Sequence, residues 1–311
     1  MRNETALPAK KSGALKKSGR RLLWFLVPSA VYVVVFHYLP IGGLVIAFLD
    51  YNSYQGILSS PWAGFKHFAA FALMPNFFTI LKNTLLISVY SIAVNTVLPI
   101  ILALLINEIR VKWFKKSVQT ISYAPYFIST VVVVGMLFSF ADYDRGVFNA
   151  AGRLVGIPAG NILESAKWFS TVYVVSGVWQ GLGWWAIIYV GALAGVDQSL
   201  HEAAVLDGAG RLSRIRHVNL PQIVPMAVIM FILSVGNALN VGFEKVFLMQ
   251  TGGNLPASEI LSTYIYRVSL MSKLPQYSYA AAIGLFNSAV SLLLLWIANF
   301  VARKLGETSL W

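Results

Sequence analysis

Residues 199–225 read SLHEAAVLDGAGRLSRIRHVNLPQIVP, a short polar segment bracketed by long apolar runs. Ser199 followed three residues later by Glu202 is a capping-box pattern, so the spacing predicts a short helix running to about Asp207. Gly208 and Gly210 should break it. A second short helix over Arg211–Val218 would align Leu212, Ile215 and Val218 on one stripe, with Arg211, Arg214 and Arg216 largely off it. Pro221 and Pro225 should close the unit before the next apolar run. Such a unit either rests its arginines on lipid phosphates at the inner leaflet or offers a polar surface to a protein partner.

The flanking runs belong to a chain of 311 residues that is 57% hydrophobic and only 12% charged, too apolar for a soluble domain of this size. Six runs are long enough to cross a bilayer: Leu22–Leu49, then about Leu81–Ile106, Val118–Ala141, Phe169–Val196, Ile223–Val241 and Tyr279–Val301. The net charge of +12 is scattered through short segments between these runs, which fits positive-inside topology and not a nucleic-acid surface. Arg110, Lys112, Lys115 and Lys116 crowd the second connection, three arginines the fourth, and Arg303 with Lys304 the exit. Both termini and the 199–225 segment are therefore expected in the cytoplasm. Residues 1–21, with seven basic residues against Glu4, read as a disordered basic tail. Leu22–Leu49 is too long for a signal core, so it is expected to remain as the first span. Outside the bilayer, Trp62–Phe78 should lie along the outer interface, and Ser258–Leu270 should form a short helix capped by Ser258 with Glu259 in its first turn.

The pattern E-A-A-x-x-D-G-A followed by L-P resembles the coupling loop of permease subunits in binding-protein-dependent ABC importers. Here it is carried by Glu202, Ala203, Ala204, Asp207, Gly208 and Ala209, then Leu220 and Pro221, with Ile215 where the family often has an aromatic residue. Asn83-Thr84-Leu85, Tyr123-Ala124-Pro125 and Tyr279–Gly284 look like the carbohydrate-uptake branch, and the region from Val241 to the final TSLW is similar to its polysaccharide and oligosaccharide members. The resemblance implies an all-α polytopic fold of type I importer permeases: first span and outer loop at 22–78, a permease core at 79–302 with its coupling loop at 199–221, and a cytoplasmic end at 303–311. It further implies ATP-driven import of a carbohydrate by alternating access across the cell membrane. The expected partners are a second related permease forming a heterodimer, two cytoplasmic ATPase domains that bind ATP and magnesium, an extracellular solute-binding protein and membrane lipid. An amino-acid or polyamine importer on the same scaffold and an ion-coupled carrier are the alternatives.

Other chemistries find little support in the residues. There is no cysteine, hence no disulfide, thiolate metal site or cysteine nucleophile. No G-x-x-x-x-G-K-[ST] phosphate loop occurs, so no cofactor is expected on this chain and ATP chemistry is expected elsewhere. H-E-x-x-H and G-x-S-x-G are absent, and Asp142-Tyr143-Asp144 beside Arg145-Gly146 reads as a solvated turn more than a metal pair, so neither a catalytic nor a metal site is expected. The spans hold few ionisable groups for ion coupling: His37 in the first, and Glu244 with Lys245 near the outer end of the fifth. Uncharged polar and aromatic residues remain: Ser122, Tyr123 and Tyr126 in the third span, Trp179, Gln180, Gly183 and Trp184 in the fourth, and Asn237 and Asn240, three apart, on one face of the fifth. They either glue helices together or, with Glu244, line a sugar path in which aromatic faces stack on pyranose rings and amides bind hydroxyl pairs.

Overall fold

The computed structural model describes residues 24–154, 160–240, 242–304 and 309–310. The expected basic tail, Val241, most of the C-terminal segment and its final TSLW apart from Ser309 and Leu310 lie outside them. Among the described residues the chain is helical apart from connecting turns and one isolated bridge, Leu49 to Trp62. Four helices have the length and hydropathy of membrane spans: α1 (Trp24–Phe48), α3 (Phe77–Glu108), α9 (Arg211–Gly236) and α13 (Tyr277–Lys304). A bent pair, α4 (Lys112–Phe127) and α5 (Thr130–Ala141), makes a fifth. The 29-residue α7 (Ala166–Ala194), over the fourth expected crossing, has the length of a span but is not among the helices that also have the hydropathy of one. Between them lie α2 (Lys66–Ala72), α6 (Val147–Leu154), α8 (Gln198–Leu206), α10 (Phe243–Met249), α11 (Leu255–Ser258) and α12 (Leu261–Tyr266).

Proline explains most departures from a straight helix. Pro40 cannot donate a backbone hydrogen bond, and α1 passes through a π turn at Val34–Tyr38 into a 3-10 stretch at Leu39–Phe48. Pro221 has the same effect in α9, where a π turn at Ile215–Asn219 precedes it. Pro125 does more: the third span turns through 96° between α4 and α5 instead of running straight from Val118 to Ala141. Ser129 caps the restart, its side chain accepting from Val132 N, and Gln180 Nε2 of α7 donates to the Ile128 carbonyl at 2.8 Å.

α3 and α7 pack along one another, and α9 closes over their inner halves. Ile223 of α9 is fully buried there against Ala103, Ala186, Tyr189 and Leu193. Toward the outer end, Phe169, Val134, Ile87, Val246 and Met249 form a second core, and Phe71, Ile80, Leu239, Leu261 and Ile283 a third. The outer half of α1 rests on α13, whereas Trp24, Phe25 and Phe36 are exposed.

Two sequence expectations change at the outer face. Ser258 ends α11 and does not cap a helix; α12 begins at Leu261, where Thr263 Oγ1 accepts from Ile260 N at 3.1 Å. Ser258 is instead drawn inward by its hydrogen bond to the fully buried Asn254. Glu259 pairs with Arg267 at 2.7 Å. Within Trp62–Phe78, expected along the outer interface, the chain forms the short helix α2, with Pro61 and Pro75 outside it. Asn83 and Thr84 tie α3 to this region: Asn83 Nδ2 donates to the Pro256 and Glu259 carbonyls, and Thr84 Oγ1 accepts from Leu261 N.

A Cβ at Gly183 would overlap the Ser122 carbonyl and lie 2.8 Å from Tyr123 Cδ1, whereas one at Gly191 on the same helix meets nothing within 4 Å. Gly183→Ala should therefore lower the thermal midpoint of the purified protein by an amount worth about 1–3 kcal/mol, as overpacking does. Gly191→Ala should leave it unchanged or raise it, because alanine stabilises an open helical position by about 0.5–1 kcal/mol over glycine. Equal midpoints for the two variants would contradict the close crossing of α4 and α7.

Candidate functional site

The polar segment is built as two structures, one short and one long. α8 starts at Gln198 because Asp197, in extended conformation, caps it: Asp197 Oδ1 accepts from Ser199 N at 2.9 Å. Asp197 therefore replaces Ser199 as the cap, and Glu202 stands on the exposed side of α8. The Ser199 backbone N–H, with the Ser199 hydroxyl, holds the Asp197 carboxyl below its usual pKa. At the other end Asp207-Gly208-Ala209 forms a left-handed helix stop. Gly208 has φ +78°, its N–H donates to the Val205 carbonyl, and Ala209 N–H donates to the Ala204 carbonyl at 2.8 Å. This explains the D-G-A triplet: Asp207 ends the helix, Gly208 supplies the positive φ, and Ala209 closes the outer hydrogen bond. Nothing lies within 4 Å of a Cβ built on Gly208, so the space beside the turn is open.

The expected second short helix is not a separate unit. Arg211–Gly236 is one helix, and Pro221 and Pro225 lie inside it without closing anything. The π turn at Ile215–Asn219 accommodates the missing Pro221 donor, so the helix continues into the span. Leu206 and Leu212, flanking the Gly208 turn, are 88% and 77% exposed. Ile215 is half-buried, while Leu220 and Pro221 are exposed. Behind α8 a polar hollow of about 350 Å³ is lined by Asn107, Glu108, Gln198, His201 and Arg214.

The other end of α9 reaches the interior path. The span stops at Gly236, and Asn237 is its C-cap, donating Nδ2 to the Leu233 carbonyl at 3.0 Å. Asn240 lies beyond a turn, so the two asparagines do not share a helical face; Asn240 Oδ1 accepts from Asn287 Nδ2 of α13 at 2.8 Å. Asn237 lines a cleft of about 470 Å³ between α3, α7 and α9, together with Ser91, Asn95, Thr96, Trp185 and Tyr189. Ser91 Oγ has no hydrogen-bond partner. None of these five residues is marked by a motif, although Asn95 carries a signal as an uncharged amide inside an apolar run.

The remaining residues assigned to the path fall into separate places. Tyr126 and Trp184 stack face to face, centroids 4.4 Å apart, at the bend of the third span. Ser122 and Tyr123 pack on Gly183, and Gln180 is engaged with the Ile128 carbonyl. Trp179 points to a different, apolar cleft of about 550 Å³ with Trp168, Met136 and Phe140. Glu244 is exposed in the first turn of α10, while its neighbour Lys245 is buried, its Nζ donating to the Tyr173 carbonyl at 3.0 Å and lying 5.0 Å from the Tyr173 ring. His37 is exposed on α1. Asp142 Oδ1 accepts from Asp144 N and Arg145 N, so D-Y-D is the Asx turn expected, and no cluster of three potential metal ligands occurs among the described residues.

Comparison with known proteins gives a consistent result. Residues 95–307 match the family described as "Binding-protein-dependent transport system inner membrane component". The chain is 41% identical over 290 residues to the polygalacturonan/rhamnogalacturonan transport system permease protein YteP of Bacillus subtilis (strain 168), covering 93% of this chain and 90% of that one. It is 36% identical to protein LplB of the same organism, covering 98% and 99%. Among solved structures it superposes with TM-score 0.85 and 34% identity on a chain of a bacterial ABC transporter involved in the import of the acidic polysaccharide alginate, covering 94% of this chain and 99% of that one. It also superposes with TM-score 0.86 and 33% identity on a chain of a bacterial alginate ABC transporter in complex with an alginate pentasaccharide-bound periplasmic protein, covering 97% and 100%.

The Asn240–Asn287 bond ties the turn beyond α9 to α13, and Asn287 Oδ1 is itself buried without a partner. Asn240→Ala and Asn287→Ala should each lower stability by about 0.6–1.7 kcal/mol, the range for hydrogen bonds between membrane helices. The double variant should lose little more than either alone. Fully additive losses in thermal unfolding would show that the two amides act independently.

Proposed function

This chain belongs to the family of binding-protein-dependent transport system inner membrane components, and on that footing we propose that it is one permease subunit of an ATP-driven importer for an oligosaccharide or polysaccharide fragment. As a multi-pass membrane permease it is a transporter subunit and not an enzyme. The sugar assignment is supported by the similarity to YteP, named for polygalacturonan and rhamnogalacturonan, and to the alginate importer. The assembly follows the same support: a second, related permease, two cytoplasmic ATPase domains that carry ATP and magnesium, and an extracellular binding protein that delivers the sugar. The exposed inner half of α1 suits lipid or that second permease. The permease core is assigned to 79–302, with the E-A-A loop and both termini in the cytoplasm.

One observation carries the mechanism. The helix that begins at Arg211, beside the Gly208 turn, runs unbroken to Gly236, and the next residue, Asn237, lines the inner cleft. At 1.5 Å per residue its 26 residues span about 39 Å. Glu202, Ala203, Ala204, Asp207, Gly208 and Ala209 present the docking surface for an ATPase, with Ile215, Leu220 and Pro221 along the first turns of the lever. When the ATPase pair closes, the loop shifts, α9 moves as a unit, and Asn237 moves against Asn95 and Trp185. Closure of the ATPase pair on ATP thus opens the path outward, and hydrolysis resets it. The substrate path is assigned to the Asn237 cleft and, at the bend of the third span, to the stacked Tyr126 and Trp184. Ser122, Tyr123, Gln180 and Gly183 hold that bend in place, while Trp179, Asn240 and Glu244 join the path only if the helices rearrange on opening.

Gly208→Val places a β-branched residue at φ +78°, which costs about 1–2 kcal/mol in the turn itself. The variant should still insert and assemble, and its sugar-stimulated ATP hydrolysis should fall at least several-fold. Gly208→Asn, which tolerates that backbone region, should retain most of the stimulation. Normal stimulation in an assembled Gly208→Val complex would remove the docking role from this loop.

A further inference from the structure

At the end of the bundle opposite Gly208, segments 50–54, 67–75 and 273–279 enclose an open cleft of about 1110 Å³, at the upper limit of ordinary ligand sites. Its walls carry five tyrosines: Tyr51, Tyr54, Tyr264, Tyr277 and Tyr279. Their frame is tied together. Tyr51 N–H donates to Ser278 Oγ at 2.9 Å, the Tyr51 and Tyr277 rings meet edge to face at 6.1 Å, and the Tyr264 and Tyr279 hydroxyls are 3.4 Å apart. Tyr54, by contrast, is 99% exposed and packs on nothing that would explain an aromatic ring there.

The charges around the cleft are unequal in their commitments. Asp50 is held by Lys66 at 2.9 Å and His67 at 3.1 Å, so its negative charge is already balanced within the wall. Lys273, also lining the cleft, is exposed and has no ion pair among the described residues. Asn52 and Gln276 add amide groups at the same opening. Rings that stack on the C–H faces of pyranoses, amides and phenols that bind hydroxyls, and an uncommitted ammonium are together the chemistry for a carboxylated saccharide. The volume and concave shape of the cleft are those of a ligand site. The cleft also lies in line with the inner path: Tyr279 stands eight residues, about 12 Å, outward of Asn287 along α13, and Asn287 is bonded to Asn240.

We propose that this outer cleft is a receiving site for the end of an acidic oligosaccharide, with Tyr54 and Tyr277 stacking on sugar rings and Lys273 binding a carboxylate before the chain enters the span region. This rests on the import reading given above and assigns to this subunit its own contact with the sugar, outside the membrane path.

The test uses the complete transporter in lipid nanodiscs, without binding protein, and a fluorescently labelled galacturonate tetramer, with a neutral galactose tetramer beside it. Saturable, salt-sensitive binding of the galacturonate tetramer is expected, weakened about tenfold by Lys273→Gln, the loss of one charge-assisted contact. Tyr54→Ala should weaken binding of both tetramers, and Lys273→Gln should leave the neutral one unaffected; both side chains are exposed, so neither change threatens the fold. Unchanged binding in both variants would overturn the proposal. So would unchanged sugar binding accompanied by weaker attachment of the binding protein, which would make the cleft a protein-docking surface. If no tetramer binds the nanodisc complex while binding-protein-dependent sugar uptake persists, the cleft assignment fails and the import reading stands; if no sugar is taken up at all, the import reading fails with it.

Discussion

A backbone surrounded by hydrocarbon has no water to accept its hydrogen bonds, so each break in a membrane helix has to be satisfied by the protein. The side chains that do this here are few and specific. Gln180 meets the Ile128 carbonyl where the third span bends, Asn237 meets the Leu233 carbonyl where α9 stops, and Thr84 receives the Leu261 N–H where α12 begins. Ser88 Oγ reaches the Ala238 carbonyl in the turn beyond α9. Lys245 reaches the Tyr173 carbonyl from the buried side of α10. Every one of these pairs joins two different elements or stabilises a helix end, so the polar residues of the interior set where the spans can break.

The same constraint makes the long intact helix important. α9 has no such break between Arg211 and Gly236: its prolines are absorbed by a π turn and by the helix's own geometry, and Ile223 anchors it against α3 and α7. A displacement applied at the Gly208 turn has no flexible joint in which to dissipate before it reaches Asn237. In the proposed coupling, that displacement would be applied where space is open beside Gly208 and Leu206 and Leu212 are exposed.

The sequence was most informative where local chemistry decides structure. Long apolar runs located the spans, the D-G-A triplet located a turn with positive φ, and Asp142-Tyr143-Asp144 was legible as a turn because an Asp side chain satisfies nearby N–H groups without tertiary help. It was least informative where a distant partner decides. The 96° bend needs Gln180, 52 positions further on, to be tolerable, and the separation of Asn237 from Asn240 reflects Asn287 on another helix. α7 is rich in tryptophan and small residues on several sides, so its composition could not say that Trp179, Trp184 and Trp185 face three different surroundings. The cap at Asp197 was missed because Ser199 offered the familiar spacing, while an aspartate two residues earlier was already placed to take the Ser199 N–H.

The most direct test of the account is uptake into liposomes holding the chain with its partner permease and ATPases, using a radiolabelled oligogalacturonate. Accumulation should require ATP on the side that bears Gly208 and a sugar-loaded binding protein on the side that bears Tyr54. Accumulation driven by a proton or sodium gradient with no ATP present would contradict it.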